Sequence, residues 1–588
     1  MRVRGADLAG AVFTAAVLVV ADPTRTVAAT PFSWLIVTLG AAAVLGIAAW
    51  QRTLVRPPKV VGWLYLAFLA WLALAAANGA DGRFAWLGIP QRHAGWLLWL
   101  ICGALFVSGV RWKAVVDGMV VAGVVWLPVL LLDAVGHPWI AAGTDRLTGP
   151  FGSAAYLGAA ACLVCPASLG VAFDTRRRPW WRWLAVAAAA SSAFAAIGSG
   201  SRAAWVALAL VGVWAGWHAR RNRWLLPTVA ALAAILLLAM ATTPVIDRAG
   251  STTDSTAAGG VSRLDEWRIG LATLGHHPLV GAGPEGYRIV FHEGVDASYE
   301  RDHGRTVQAD RAHNGLLDIA LWGGIPAALL YVGLLVAIGL GVRKRLRGTD
   351  VSAPLLGLLA AVVAYVVQQQ FLFPLAEIEP VLFLLLGGVV CSGQPPLLQG
   401  RAAARATAVV CGLLAAFAGW WGVRDVLAWH AAADAVAAEA RGDMPAAHAA
   451  ARDAVSWRDD EVWLHLQDAR DAVSAQDALR AVDAALRLSP RDPIALTRRQ
   501  ELLVNIDPST AFDELRGLVA DDPHNATLQN LYGTAAIRSG DEVIAEHAWL
   551  AALDLAPDAP GPRQNLITLY RQQGRDAEAD ALEKAGNP

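Results

Sequence analysis

Thirteen stretches of this chain are apolar for about as long as a helix needs to cross a bilayer, roughly 20 residues. They run over 6–22, 32–50, 60–77, 93–109, 112–132, 153–173, 183–198, 203–218, 224–243, 314–341, 353–373, 376–393 and 404–423. In hydrocarbon every backbone N–H and C=O must be satisfied within its own segment, so such runs are helices. The spacing therefore predicts an all-α fold, a polytopic membrane bundle of about 12–13 spans. Composition agrees: 56% of the 588 residues are hydrophobic and 16% are charged. That excludes a disordered chain, and a net charge of −1 offers no excess of cations to nucleic acid. Arg2 and Arg4 ahead of Leu8–Val20 look like a signal peptide, but the next apolar run starts at residue 32, which favours an uncleaved first span. Cys102, Cys162, Cys165, Cys391 and Cys411 all fall in apolar runs. "CLVC" (162–165) has redox spacing but lies inside a span, so these read as small packing residues, with no disulfide framework and no zinc site.

Basic residues orient the bundle. Alternate loops carry 20 of them, from Arg2/Arg4, Arg52/Arg56/Lys59 and Arg111/Lys113 through Arg176/Arg177/Arg178/Arg182 to Arg401/Arg405. The intervening short loops carry five: Arg25, Arg83, Arg92, Arg146 and Arg202. The expectation is an N-terminus in the cytoplasm of a multi-pass protein of the cytoplasmic membrane. The polar stretch 244–312, and everything after residue 423, then lie outside.

From 424 to 588 the chain becomes soluble, helical in pattern and repetitive. "VSWRDDEVW", "LSPRDPIAL", "ADDPHNATL" and "LAPDAPGPR" align on Ser456, Pro490, Pro523 and Pro557, at intervals of 34, 33 and 34. That period resembles tetratricopeptide repeats. Stacked helix pairs make binding surfaces rather than reaction centres, so the expected role is recruitment of an acceptor or a partner protein. The division expected is 1–423, a membrane domain, and 424–588, a repeat domain.

Candidate chemistry gathers at the outer boundary. Within the spans Asp318 is the main ionisable exception, which argues against an ion-coupled transporter. Arg146 precedes the sixth span, and Arg202 closes "GSGSR" where the eighth begins. A helix N-terminus with a guanidinium suits a phosphate. The competing reading is an arginine snorkelling to headgroups, and it weighs more on Arg25, Arg83 and Arg92. In the long loop, "SRLDEWRIGLATLGHHP" (262–278) sets Leu264, Trp267, Leu271 and Leu274 at helical spacing, with Ser262 as N-cap. That predicts a helix lying on the membrane surface, with Arg263 and Arg268 near headgroups. "LVGAGPEGY" (279–287) lacks the strand–turn–helix context of a nucleotide loop. His276, His277, His292, Glu293 and His303 show no convincing metal-ligand spacing. No cofactor is implied.

"DRAHNGLLDIALWGGIP" (310–326) is the seam where that loop meets an apolar helix. Asn314 suits its N-cap. His313 is either an interfacial side chain or a base able to accept a proton near neutral pH. Beside arginines, such a base suits deprotonation of an acceptor hydroxyl that attacks a carbon bearing a phosphate leaving group.

Four segments together resemble the O-antigen ligase and O-antigen polymerase group of envelope glycosyltransferases: "RLTGPFGSAAYLGA" (146–159), "GSGSRAAWVAL" (198–208), "SRLDEWRIGLATLGHHPLVGAGPEGY" (262–287) and "AHNGLLDIALWGGIP" (312–326). The likeness covers about residues 60–395. It implies a metal-independent, inverting transfer of a glycan from an undecaprenyl-pyrophosphate carrier to a glycan or protein acceptor. It also implies that Arg202 and Arg263, and more weakly Arg146, bind pyrophosphate, with His313 as the base. Where the family often has Asn-Pro-Asn after the "TGPFG" element, this chain has "SAA" (153–155), which puts contacts from that loop in doubt. Ligase, polysaccharide polymerase and protein O-oligosaccharyltransferase are not separated by the resemblance. Two other classes compete: a non-catalytic scaffold acting through its repeats, and a lipid-linked sugar flippase, whose cationic interior the spans lack.

Overall fold

The computed structural model describes residues 4–20, 30–140, 146–218, 263–305, 309–346 and 352–585. The expected span at 224–243, Arg2, Arg25, Ser262 and the first part of the long loop lie outside the described residues. Every other expected apolar run is a helix. Among the described residues six helices are long and apolar enough to cross a membrane: Pro31–Trp50, Lys59–Ala77, Trp112–Ala134, Ala154–Ala172, Gly315–Lys344 and Arg401–Ala440. Five shorter apolar ones accompany them. Among the described residues the only β pairing is an isolated bridge, Val55 to Pro396.

The chain divides into two compact units. The first comprises residues 1–251, 279–285 and 313–433. At its centre is Ala154–Ala172, buried on nearly every side. A helix can be so enclosed only if its neighbours approach closely, which small residues allow. A Cβ on Gly357 would stand 2.5 Å from the Pro166 carbonyl oxygen, and one on Gly170 would stand 2.8 Å from that of Ala353. Nearby, Trp99 sits edge-on to Phe68, Tyr331 and Phe383 at 5.3, 5.8 and 6.0 Å, the geometry aromatic quadrupoles favour. All five cysteines are buried.

The helix Gly315–Leu346 is interrupted at Gly323 and Gly324, whose backbone is not helical. The glycine-rich turn fits into that break. Ala282 and Gly283 donate their N–H groups to the Leu321 and Trp322 carbonyls at 2.7 and 3.0 Å, and Trp71 Nε1 donates to the Gly323 carbonyl at 2.7 Å. Carbonyls freed by the break thus regain partners.

The second unit comprises residues 252–278, 286–312 and 434–588. The division comes at 433/434, inside the 40-residue helix Arg401–Ala440. Nine helices follow, from Met444–Trp457 to Asp576–Ala585. Pro490, Pro523 and Pro557 fall in turns between them, and Ser456 in the last turn of the first. Side chains fix the starts: Asp443, Ser474, Asp492, Asp507, Asn525 and Asp541 each accept from a first-turn N–H. Each such cap is worth about 1 kcal/mol. Alanine-lined seams and buried Leu503, Leu515, Leu528 and Leu566 hold the pairs together.

Candidate functional site

Asn314 caps the helix that begins at Gly315: its Oδ1 accepts the Leu317 N–H at 3.0 Å. The residue before it, His313, has φ +52°. That left-handed backbone disfavours an L side chain by about 1–2 kcal/mol, and strain of this kind collects where a side chain must be aimed. The imidazole lies edge-on to Phe373, with centroids 5.4 Å apart.

Phe373 links His313 to a residue the sequence analysis set aside. The Arg92 guanidinium carbon lies 4.8 Å from the Phe373 ring centroid, and Arg92 Nη1 donates to the Tyr156 hydroxyl at 2.7 Å. Tyr156 in turn meets Phe373 edge-on at 6.0 Å. A guanidinium over a ring keeps its charge while losing water, and it still presents donors at its rim.

The turn bearing Arg92 is fixed tightly. His93 has φ +48° and stacks on Trp34 at 5.0 Å. The Ala94 N–H donates to buried Glu285 Oε1 at 3.2 Å. Gly88 and Gly95 let the turn close on itself, since a Cβ at Gly95 would stand 2.4 Å from the Gly88 nitrogen.

Arg146 reaches the turn that precedes Arg202. Arg146 Nε donates to the Ser199 carbonyl at 2.6 Å, inside "GSGSR". Gly200 (φ +60°) leaves room, because a Cβ there would stand 3.2 Å from Arg146 Nε. Arg202 opens the next helix and is exposed; Ser201 Oγ accepts the Ala204 N–H at 3.4 Å. Asp133 orders the loop after Arg146 by accepting the Thr148 and Gly149 N–H groups at 2.8 and 2.9 Å. The segment 146–159 therefore has Arg146 on the Ser199 turn and Tyr156 in the Arg92–Phe373 cluster. Segments 146–159 and 198–208 are in direct contact, and Tyr156 and Phe373 lead from the first of them to His313. The His313 ring and the Arg92 guanidinium thus pack on one ring, Phe373.

Arg263 belongs to the second unit, where it pairs with Glu266 one turn on. Its helix, Arg263–His276, buries Glu266, Ile269, Gly270 and Thr273. The expected apolar stripe points the other way: Leu264 and Leu271 are 72% and 60% exposed. Two of the four histidines pair with carboxylates, His277 with Glu293 at 2.7 Å and His303 with Asp265 at 3.4 Å. Among the described residues no three His, Cys, Asp or Glu side chains form a metal-sized group.

Burial pushes the Glu293 carboxyl up, but the hydrogen bond and charge of His277 outweigh this and hold it below its ordinary range. The Tyr299 backbone N–H, the Ser298 hydroxyl and Arg268 hold Asp296 well below the carboxylate range.

Arg92 and Tyr156 are the functional candidates that sequence reasoning missed. Arg92 had one signal, a cation against the orientation bias; Tyr156 lay unmarked within a quoted motif.

Residues 186–332 match the family model described as O-antigen ligase, a stretch that contains Arg202, Arg263 and His313. No curated protein matches the chain. Among solved structures, twelve chains match. One is titled "MamA RS-1 ArsTM double mutant"; it is 20% identical, the match covers 26% of this chain and 88% of that one, and the TM-score is 0.24.

Proposed function

We propose that this chain, whose residues 186–332 match the O-antigen ligase family model, moves a glycan from an undecaprenyl-pyrophosphate carrier to an acceptor hydroxyl at the outer face of the cytoplasmic membrane. The observation that carries this reading is the aimed imidazole of His313. It lies within the family domain, on a strained backbone, and shares Phe373 with the cation of Arg92.

The reaction follows from charge. His313 takes the proton of the acceptor hydroxyl as the oxygen attacks the anomeric carbon of the donor. The carbon–oxygen bond to the diphosphate breaks, and the carrier diphosphate leaves with the electron pair. Attack from the face opposite the leaving group inverts the anomeric centre. Arg202, and Arg146 bonded to the turn before it, meet the charge that grows on the diphosphate. Arg92 is positioned to add to that field, and Arg263 is a further diphosphate ligand. Guanidinium groups do here what a metal does in many phosphate sites, so the transfer proceeds without one.

Replacing His313 with Ala in the native host tests this. The expected result is a rise in lipid-linked glycan and a fall in finished surface glycan, with normal amounts of protein in the membrane. Unchanged pools would overturn the catalytic role of His313 and favour a scaffold acting through the repeats.

A further inference from the structure

Three arginines of the long loop each pair with an aspartate of the C-terminal helices. Arg288 meets Asp492, and their side chains are 6% and 0% exposed. Arg305 grips Asp522 with two hydrogen bonds of 2.9 and 3.0 Å, at 11% and 12% exposure. Arg301 meets Asp554 at 2.8 Å on the exposed rim. The aspartates stand 30 and 32 residues apart, close to the repeat period, and each lies at or beside an inter-repeat turn. One loop cation therefore answers each of the last three turns.

Other contacts complete the docking. Glu300 Oε1 accepts the Ala526 N–H at 3.1 Å while its Oε2 accepts from Arg305 Nε at 2.6 Å. The His524 ring meets the Val295 carbonyl at 3.1 Å. Arg288 also lies over the Trp463 ring at 5.9 Å. A planar guanidinium gripping a carboxylate with two bonds fixes orientation as well as distance. Buried pairs of this kind hold only with both partners present, since either charge alone would be stranded out of water.

We propose that the partner of the C-terminal helices is segment 286–305 of the same chain, which ends eight residues before His313, and that glycan transfer depends on this docking. Asp492 and Asp522 are then positioning residues. The repeats form part of the transfer machinery from within, rather than an appended module for recruitment. The docking half of this inference stands alone; the transfer half rests on the function proposed above.

Hydrogen–deuterium exchange on the full-length protein in nanodiscs tests the first half, and glycan transfer by the same samples tests the second. Asp492→Ala and Asp522→Ala should each speed exchange across 286–305 by about tenfold or more. Exchange in Gly315–Leu346 should stay unchanged, and transfer should fall by a similar factor. If those variants do not fold, Arg301→Glu on the exposed rim should loosen 297–304, and adding Asp554→Arg should restore it. Exchange unchanged in every variant overturns the docking. Loosened exchange with wild-type transfer overturns its role in transfer. A wild type that transfers no glycan sinks the proposed function, while exchange still decides the docking.

Discussion

Arg92 donates a hydrogen bond to the Tyr156 hydroxyl at 2.7 Å, and both pack on Phe373, the ring that His313 meets edge-on. An arginine with its face on a ring and its edge on a hydroxyl has fixed geometry, which lysine cannot reproduce. Arg92→Ala is expected to lower transfer by about 100-fold, as removal of one preorganised donor does elsewhere. Arg92→Lys should recover little. Tyr156→Phe keeps the ring and loses only the hydroxyl, so its loss should be smaller. Initial rates with purified protein and lipid-linked donor decide this, and wild-type rates in Arg92→Ala would remove Arg92 from the site.

His313 separates backbone from chemistry. Glycine at this position relieves the left-handed strain and deletes the ring. His313→Gly should therefore unfold at or above the wild-type temperature while transfer falls by about 10²–10⁴-fold, the range for losing a general base. Asn314→Ala should behave oppositely, losing about 1 kcal/mol of stability with its cap while keeping measurable transfer. Thermal unfolding alongside transfer rates distinguishes the two. A His313→Gly protein with full activity would leave the ring without a chemical role.

Much of this architecture can be read from the chain because membrane helices announce themselves by run length, a local property. Asn314 as a cap is local in the same way. The Arg92 cluster is not: residues 92, 156, 313 and 373 come from separate elements, and neither Tyr156 nor Phe373 belongs to a polar pattern. The helix at 263–276 was legible, but not its buried face, which holds Glu266 and Thr273 and leaves Leu264 and Leu271 outward. The glycines at 281 and 283 stood out as a turn. Their cause, a helix break at Gly323–Gly324, lies 40 residues away. The 34-residue period was visible, but the loop cations matched to it are spaced by folding rather than by sequence.

That break supplies another test. Gly281 has φ +71°, and a Cβ there would stand 2.6 Å from the Gly323 nitrogen. Gly281→Ala combines a disfavoured backbone with a clash against main chain that cannot swing aside. It should cost about 2–4 kcal/mol and reduce the amount of protein in the membrane. Gly275→Ala is the control, because nothing lies within 4 Å of that position. Equal membrane levels for the two variants would show that the turn is not seated in the break.

Acid should loosen the second unit through two carboxylates. Asp296 is held below its ordinary value of 3.8 by the Tyr299 N–H, Ser298 and Arg268. Glu293 is held below 4.5 because its burial is outweighed by the hydrogen bond to His277 and the neighbouring His277, His292 and His276 rings. A carboxyl whose pKa is depressed by folding contributes stability above its unfolded value and loses it as pH falls through the folded one. The Asp296 contribution is thus complete at neutral pH, and both contributions fade as the medium is acidified past about pH 5. Glu300 has the opposite sign: burial raises its pKa against the pull of Arg305, so its ionisation opposes folding as pH rises. Thermal unfolding of the full-length protein from about pH 7 to about pH 3 should show the acid loss. Asp296→Asn should flatten that slope, while Glu300→Gln should leave the acid loss in place. An Asp296→Asn slope identical to wild type would mean that this carboxylate is not engaged in solution as it is here.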